Sequence, residues 1–216
     1  MTRLTAALSL SLTLTLPADA RAEAFTVNPD AGNSGFSAVF DAQLGERINA
    51  VSSSVGCDVT YDEKTGLASG RCAVPLLSVK VDADDTKSDH FHQWATNKKS
   101  EPKDCKLEAV FQDVKVGALA AERAMPFTAQ IPFTVCGRAR ADGGRETVKG
   151  TAMLFPPGAY GDKKTIRIRA TVADFDRDAY RIGPKYTDGW LARVQALAKV
   201  VAEKGTVELS LFARTK

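Results

Sequence analysis

The stretch TIRIRATVAD, residues 165–174, alternates apolar and polar side chains with a period of two. Its apolar members are Ile166, Ile168, Ala170 and Val172, and threonine or arginine residues stand between them. Because successive side chains of a β-strand point to opposite faces of the sheet, this order predicts a strand with one face on a core and the other in water.

The same alternation recurs along the chain. It runs through FTAQIPFTVC at 127–136 and through Val207, Leu209 and Leu211 near the end. Turn-rich breaks separate further predicted strands at 34–42, 46–61, 67–82, 104–116 and 146–155. About eight antiparallel strands in one domain predict an all-β fold, either a sandwich or a closed barrel without exposed edges. An eight-stranded barrel has room inside for side chains or for one small ligand.

Two segments depart from the strand pattern. Residues 84–96 are predicted to form a short helix or loop between two strands. Residues 187–204 place Trp190, Leu191, Val194 and Leu197 on one helical stripe, which predicts a C-terminal helix stopped by Gly205. We expect this helix to pack on a barrel mouth or outer face, and docking to a membrane surface or partner is the alternative.

The first 22 residues have the order of a secretory signal peptide: Arg3, an apolar run over 4–16, and small residues up to Ala22. We therefore expect a signal peptide at 1–22, a secreted protein and one folded domain at 23–216. No later segment approaches the roughly 20 apolar residues of a membrane helix. The formal charge is +3, with lysines and arginines scattered, so nucleic acid is not predicted as a partner.

Four cysteines in an exported chain predict two disulfides. Cys57 and Cys72 flank a predicted hairpin whose turn lies at Lys64–Gly66, and this favours a bond between them. That pairing leaves Cys105 with Cys136. The two remaining cysteines differ in strand parity, however, so their bond requires a bulge or a strand end at Cys136.

The stretch KSDHFHQW, residues 87–94, contains both histidines of the chain. Zinc usually needs three or four ligands, and with the cysteines committed to disulfides the remaining ones would have to be carboxylates, so a metal site is not expected. There is no Gly-x-Ser-x-Gly elbow, phosphate loop or dinucleotide fingerprint. We therefore expect neither enzymatic activity nor a cofactor.

Four stretches carry a family resemblance: SGFSAVFDA (34–42), VDADDTKSDHFHQW (81–94), FTVCGRA (133–139) and DFDRDAYRIG (174–183). In this order and spacing they are similar to motifs of the bacterial YceI-like proteins. The resemblance covers about 25–213. It implies a periplasmic, antiparallel, eight-stranded lipocalin-like barrel that binds a polyisoprenoid or another long-chain lipid.

The resemblance also implies roles for single residues. His90 stands at the family's histidine and is expected in a fold motif near the barrel entrance, as a buried imidazole that hydrogen-bonds a neighbouring loop or backbone. Contact to a ligand head group is the second reading. Arg177 is retained and is the other head-group candidate, whereas His92 has no counterpart and is expected to be solvated. Lys87-Ser88 replace Arg-Asp and Cys136 replaces histidine, so the head group itself stays open.

Candidate ligand contacts form two sets. Strand parity predicts an interior lined by Phe127, Ile131, Phe133, Val135, Ile166, Ile168, Val172, Leu209 and Leu211. The resemblance and the aromatic residues expected at a cavity mouth add Phe36, Phe91, Trp94, Tyr180 and Trp190. The alternative for both sets is ordinary packing in a filled core.

The sequence thus predicts an exported protein that holds a polyisoprenoid or quinone-like ligand inside a β-barrel. In the alternative, side chains fill the barrel, which then serves as a non-enzymatic envelope stress or protein-interaction module. An enzyme acting on an isoprenoid ranks third, since no nucleophile or metal supports it. Whether the protein forms a homodimer is left open.

Overall fold

The computed structural model describes residues 22–96, 101–187 and 201–216. Within them lie twelve strands: β1 (Glu23–Val27), β2 (Gly35–Ala42), β3 (Arg47–Ser52), β4 (Gly56–Asp62), β5 (Leu67–Pro75), β6 (Lys80–Val81), β7 (Lys106–Lys115), β8 (Met125–Ile131), β9 (Phe133–Val135), β10 (Glu146–Phe155), β11 (Thr165–Asp176) and β12 (Val201–Thr215). One α-helix, α1 (Asp85–Thr96), connects β6 to β7. The all-β prediction is confirmed, and the helix falls in the segment predicted at 84–96.

Three predicted strands are each divided in the structure, and one of them is the segment 127–136, which forms β8 and β9. The segment 46–61 forms β3 and β4, and 67–82 forms β5 and β6. Pro75 ends β5, and a 3-10 turn at Leu76–Ser78 buries Leu76 before β6 begins. Strand β1 was not predicted, because its five residues offer only Phe25 and Val27 as an alternating apolar pair.

All strand pairs are antiparallel and belong to one sheet. One edge of β12 pairs with β11, and the opposite edge pairs first with β2 and then with β1. Three arms therefore leave β12: β11–β10–β8, β2–β3–β6, and β1–β4–β5–β7–β9. Buried apolar side chains from all three arms belong to one core cluster.

The predicted count of eight strands is wrong, since the described residues form twelve. A closed barrel is not confirmed either. Among the described residues, β7 and β8 form no ladder with each other, so the sheet does not close there. Strand β8 ends the first arm and β9 ends the third, and only Pro132 separates them in sequence. Proline has no N–H to donate, so the ladder that β8 forms with β10 stops there and β9 pairs with β7 instead.

The prediction of a C-terminal helix at 187–204 is wrong for its last four residues. Residues 201–204 begin β12, and Gly205 lies inside that strand rather than at a helix end. Val201 pairs with Ala42 on β2, and Lys204 pairs with Asp176 on β11. Ladders on both edges outweigh the helical stripe in the sequence. Residues 188–200 lie outside the described part of the chain.

Both predicted disulfides are confirmed. Cys57 and Cys72 lie directly opposite each other on β4 and β5. Cys136 follows the last residue of β9 and has a φ of 49°, and it bonds to Cys105, just before β7. This left-handed turn at a strand end removes the parity conflict, because Cys136 no longer follows the alternation of β9.

Three glycines on strands face a phenylalanine directly across a ladder: Gly70 with Phe111, Gly150 with Phe127 and Gly205 with Phe40. A Cβ atom at Gly150 would lie 2.7 Å from the Phe127 ring and would also collide with the carbonyl oxygen of Arg169. The missing side chains let each ring lie over the neighbouring backbone and let the sheet bend sharply. The three rings consequently face the interior.

We predict that Gly150→Ala lowers the free energy of unfolding by about 1–3 kcal/mol, the usual cost of overpacking a tight site. Gly56→Ala is the matched control, because a Cβ atom there meets nothing within 4 Å. The control is expected to leave stability unchanged or to raise it by about 0.4–1 kcal/mol. Urea unfolding of both variants measures the difference, and equal stabilities would contradict close packing at Gly150.

Candidate binding cavity

A cavity of about 350 Å³ lies between α1 and the strands that face it, and we call it the helix cavity. Its walls come from α1, from β2, β3, β6, β7 and β9, and from β11, β12 and the segment after β11. Fifteen of its eighteen lining side chains are apolar or aromatic, and the exceptions are Lys87, His90 and Arg177. Among the described residues, the wall of the helix cavity therefore contains basic side chains and no acidic one.

The space under the helix has a simple origin in the sequence. Ala38 on β2 and Ala50 on β3 face each other across the ladder, and both line the helix cavity. Their methyl groups fill little of the volume between the sheet and α1, whereas protein interiors are normally close-packed. Larger side chains at Phe36, Phe40 and Ile48 surround the alanine pair and complete the wall.

Helix α1 divides its residues between two faces. Lys87, His90, Phe91 and Trp94, at i, i+3, i+4 and i+7, lie on the helix cavity. The Asp84 carboxylate accepts a hydrogen bond from the Lys87 amide at 2.9 Å and so caps the helix start. This hydrogen bond defines where α1 begins.

A neighbouring face of α1 packs on β6 and the turn before it through Ser88 and His92, both of which are buried. The Ser88 hydroxyl accepts from the Val81 amide at 3.0 Å, and His92 Nε2 donates to the Val79 carbonyl oxygen at 3.0 Å. The expectations for the two histidines are thus reversed. His92 is the buried structural imidazole, and the partly exposed His90 lies on the cavity wall with its ring stacked on Trp94.

The end of α1 is held by Arg138, whose guanidinium donates to the carbonyl oxygens of Ala95, Thr96 and Tyr180. These bonds satisfy carbonyl groups that the helix end leaves without partners. Burial lowers the pKa of Arg138, and the nearby charge of Arg181 acts in the same direction. The helix is therefore fixed to the sheet at its last turn as well as along its buried face.

The basic side chains of the helix cavity differ in how strongly they are held. Lys87 Nζ lies 2.8 Å from Asp82 Oδ2, and this hydrogen bond raises the pKa of Lys87. Arg177 donates to the carbonyl oxygens of Ile182 at 2.7 Å, Val201 at 2.9 Å and Ala202 at 3.0 Å. Burial lowers the pKa of Arg177. Arg177 thus joins the start of β12 to the segment after β11, and its side chain forms part of the cavity wall.

A second cavity of about 110 Å³, the sheet cavity, lies among β4, β5, β7, β8, β10, β11 and β12. Small side chains at Ala68, Ala109, Ala152 and Ala170 leave this space open. Its one charged wall residue among those described, Glu146, accepts a hydrogen bond from the Tyr180 hydroxyl at 2.6 Å and pairs with Arg140 at 2.9 Å. The sheet cavity is consequently apolar apart from Thr171 and a carboxylate that is already paired.

Three residues, Phe133, Phe175 and Val207, line both cavities. Phe175 reaches this position because β11 contains a bulge between Val172 and Phe175. Strict alternation from Ile166 would have directed Asp174 inward, and the extra residue reverses the parity. The bulge therefore places an aromatic ring where the repeating pattern predicts a carboxylate.

Most predicted interior residues lie on a cavity wall. Those on the sheet cavity are Phe127, Ile131, Phe133, Ile168, Val172, Leu209 and Leu211. Those on the helix cavity are Phe36, His90, Phe91, Trp94, Phe133, Val135 and Arg177. Ile166 and Tyr180 line neither wall, and both are buried in the packed core. Trp190 lies outside the described residues.

Sequence reasoning missed several wall residues. Phe111 could have been found, since it continues the parity of Leu107 and Ala109 along β7. Phe175 could not have been found, because the local sequence pattern does not indicate the bulge in β11. Lys87 was noted only as a departure from a family motif, although it shares the helical face of His90 and Phe91.

The part of the chain that the structure describes contains no group of three or more histidine, cysteine or acidic side chains that could hold a metal ion. Over those same residues, no helix is both long and apolar enough to cross a membrane.

No protein-family model matches this chain, and no curated protein is significantly similar to it in sequence. The fold is similar to that of a solved polyisoprenoid-binding domain from Saccharophagus degradans, which is implicated in plant cell wall breakdown. The TM-score is 0.58 at 10% sequence identity, and the match covers 91% of this chain and all of the other. The resemblance inferred from the four sequence motifs is thereby confirmed at the level of the fold.

We predict that His92→Ala lowers the free energy of unfolding by about 1–3 kcal/mol, because it leaves the Val79 carbonyl without its partner. His90→Ala is the matched control on the same helix, two residues away. It is expected to change stability by no more than about 0.5 kcal/mol. Thermal or urea unfolding checks both variants, and a larger loss in His90→Ala would contradict the assignment of the buried imidazole.

Proposed function

We propose that this protein is an exported lipid-binding protein that holds a long apolar ligand of the polyisoprenoid or quinone-tail class in its interior. The observation that carries the proposal is the helix cavity: about 350 Å³, walled by fifteen apolar or aromatic side chains and three basic ones. Such a site removes an insoluble chain from water and offers a few polar groups to orient one end.

The energy of burial supports a chain-like ligand. A cavity of about 150 Å³ takes up benzene, so on this scale the helix cavity holds about 14 carbon atoms, or about three isoprene units. Burying each methylene contributes about 0.8 kcal/mol, which corresponds to roughly fourfold in affinity per carbon. Affinity is therefore expected to rise with tail length until the space is full.

The three basic residues support a position for the ligand's head group. His90 and Lys87 project from one face of α1, and Arg177 faces the same cavity from the end of β11. Among the described residues, the wall of the helix cavity contains no acidic side chain that would repel an anionic head group. The head group is accordingly assigned to this side of the helix cavity and the tail to the apolar remainder.

Two further observations agree with the proposal. The solved domain with the same fold is named for binding polyisoprenoids. The two disulfides are typical of proteins that fold in an oxidising compartment, as expected if the segment 1–22 directs export to the periplasm. The alternative, a filled barrel that serves as an interaction module, would leave no reason for paired alanines beneath the helix.

Native mass spectrometry of protein purified from an exporting host tests the proposal. We expect a stoichiometric adduct that organic extraction releases as a polyprenyl or quinone-type lipid. If the protein is purified without lipid, incubation with farnesol should restore the adduct. A mass that remains that of the bare chain after this incubation would contradict lipid binding and favour the interaction module.

The variant Ala50→Phe is expected to lower farnesol affinity at least tenfold, since the added ring occupies the helix cavity and excludes several carbons. Thr128→Phe is the matched control, because it adds the same ring at an exposed position on β8. Titration followed by native mass spectrometry gives both affinities. Equal affinities in the two variants would place the lipid outside the helix cavity.

A further inference from the structure

We infer that Phe133 and Phe175 form a partition between the helix cavity and the sheet cavity and thereby set the length of tail that the protein accepts. The inference rests on the proposed function and adds a specificity to it. Both rings, together with Val207, line both cavities, so a chain that passes from one space to the other runs past these side chains.

The two rings meet edge to face, with centroids 5.5 Å apart and an interplanar angle of 89°. Tyr180 joins them: its ring is stacked on Phe175 at 5.0 Å and meets Phe133 edge to face at 5.6 Å. Three mutually contacting aromatic rings at these distances are a favourable arrangement. The partition is consequently a packed cluster rather than a single side chain that can rotate aside.

The cluster is fixed from behind as well. Tyr180 is fully buried, and its hydroxyl donates to Glu146, which is in turn paired with Arg140. Phe175 is held by the bulge of β11. Tyr180 is thus fixed by a buried hydrogen bond, and its ring packs against both rings of the partition.

The volumes on the two sides predict a tail length. The helix cavity holds about three isoprene units and the sheet cavity about one more, again on the scale of ~150 Å³ for benzene. With the partition in place, a fourth unit has no apolar space to enter. Removing one ring joins the two cavities and gives the fourth unit a place.

A series of prenyl alcohols with two, three, four and five isoprene units tests the inference, with dissociation constants measured by native mass spectrometry. The natural protein is expected to bind more tightly up to three units and to gain little at four. In Phe175→Ala the gain should continue to four units, by about tenfold or more for the added unit. Phe212→Ala is the matched control, because Phe212 lies on β12 and lines neither cavity.

A double variant separates an opened partition from a loosened fold. Ala152 lines only the sheet cavity, so Phe175→Ala combined with Ala152→Phe should refill the space beyond the partition and return the limit to three units. If Phe175→Ala does not fold, Phe175→Leu, which keeps an apolar side chain at the position, takes its place with the same expected direction.

The outcomes distinguish the two proposals. If the natural protein binds no alcohol of any length, the proposed function fails and the partition fails with it. If the natural protein binds but Phe175→Ala shows the same length limit, only the partition is overturned. If Phe212→Ala shifts the length limit by as much as Phe175→Ala does, the partition is also overturned, since a general loosening of the fold would then explain the change.

Discussion

Strand β12 forms ladders along both edges, and the arrangement of the whole interior depends on it. With β11 on one side and β2 followed by β1 on the other, three arms of sheet leave a single strand. Each arm has one apolar face, and these faces can be removed from water only if the arms curve towards each other. The two cavities lie where the curved arms and α1 fail to fill the enclosed volume.

The curvature and the empty space have a common basis in residue size. Glycines opposite Phe40, Phe111 and Phe127 let the sheet bend and let the rings lie along its inner surface. Alanines at other inward positions, such as Ala38 opposite Ala50, keep the centre free of side chains. A core built to maximise packing would place larger residues there. The pairing of large rings with very small neighbours therefore favours an interior that receives a ligand over one that only stabilises the fold.

Strand alternation alone predicted the all-β fold and the wall positions of Phe127, Ile131 and Ile168, because parity holds wherever a strand is regular. It failed at Phe175 and at the start of β12, where a bulge and a double ladder depend on partners distant in sequence. The motif resemblance predicted a buried His90 and a solvated His92, whereas His92 is buried and His90 lies on the cavity wall. The i, i+4 pair Ser88 and His92 would have indicated the buried face of α1.

The most direct test of the account is a crystal structure of the protein with a farnesol analogue that carries bromine at the tail end, located by its anomalous scattering. We predict a single bromine position inside the helix cavity, on the side of the Phe133–Phe175 partition that faces Ala38 and Ala50, with the hydroxyl head towards His90 and Arg177. A bromine position on the outer surface of the sheet, or a helix cavity closed around its own side chains, would contradict the account.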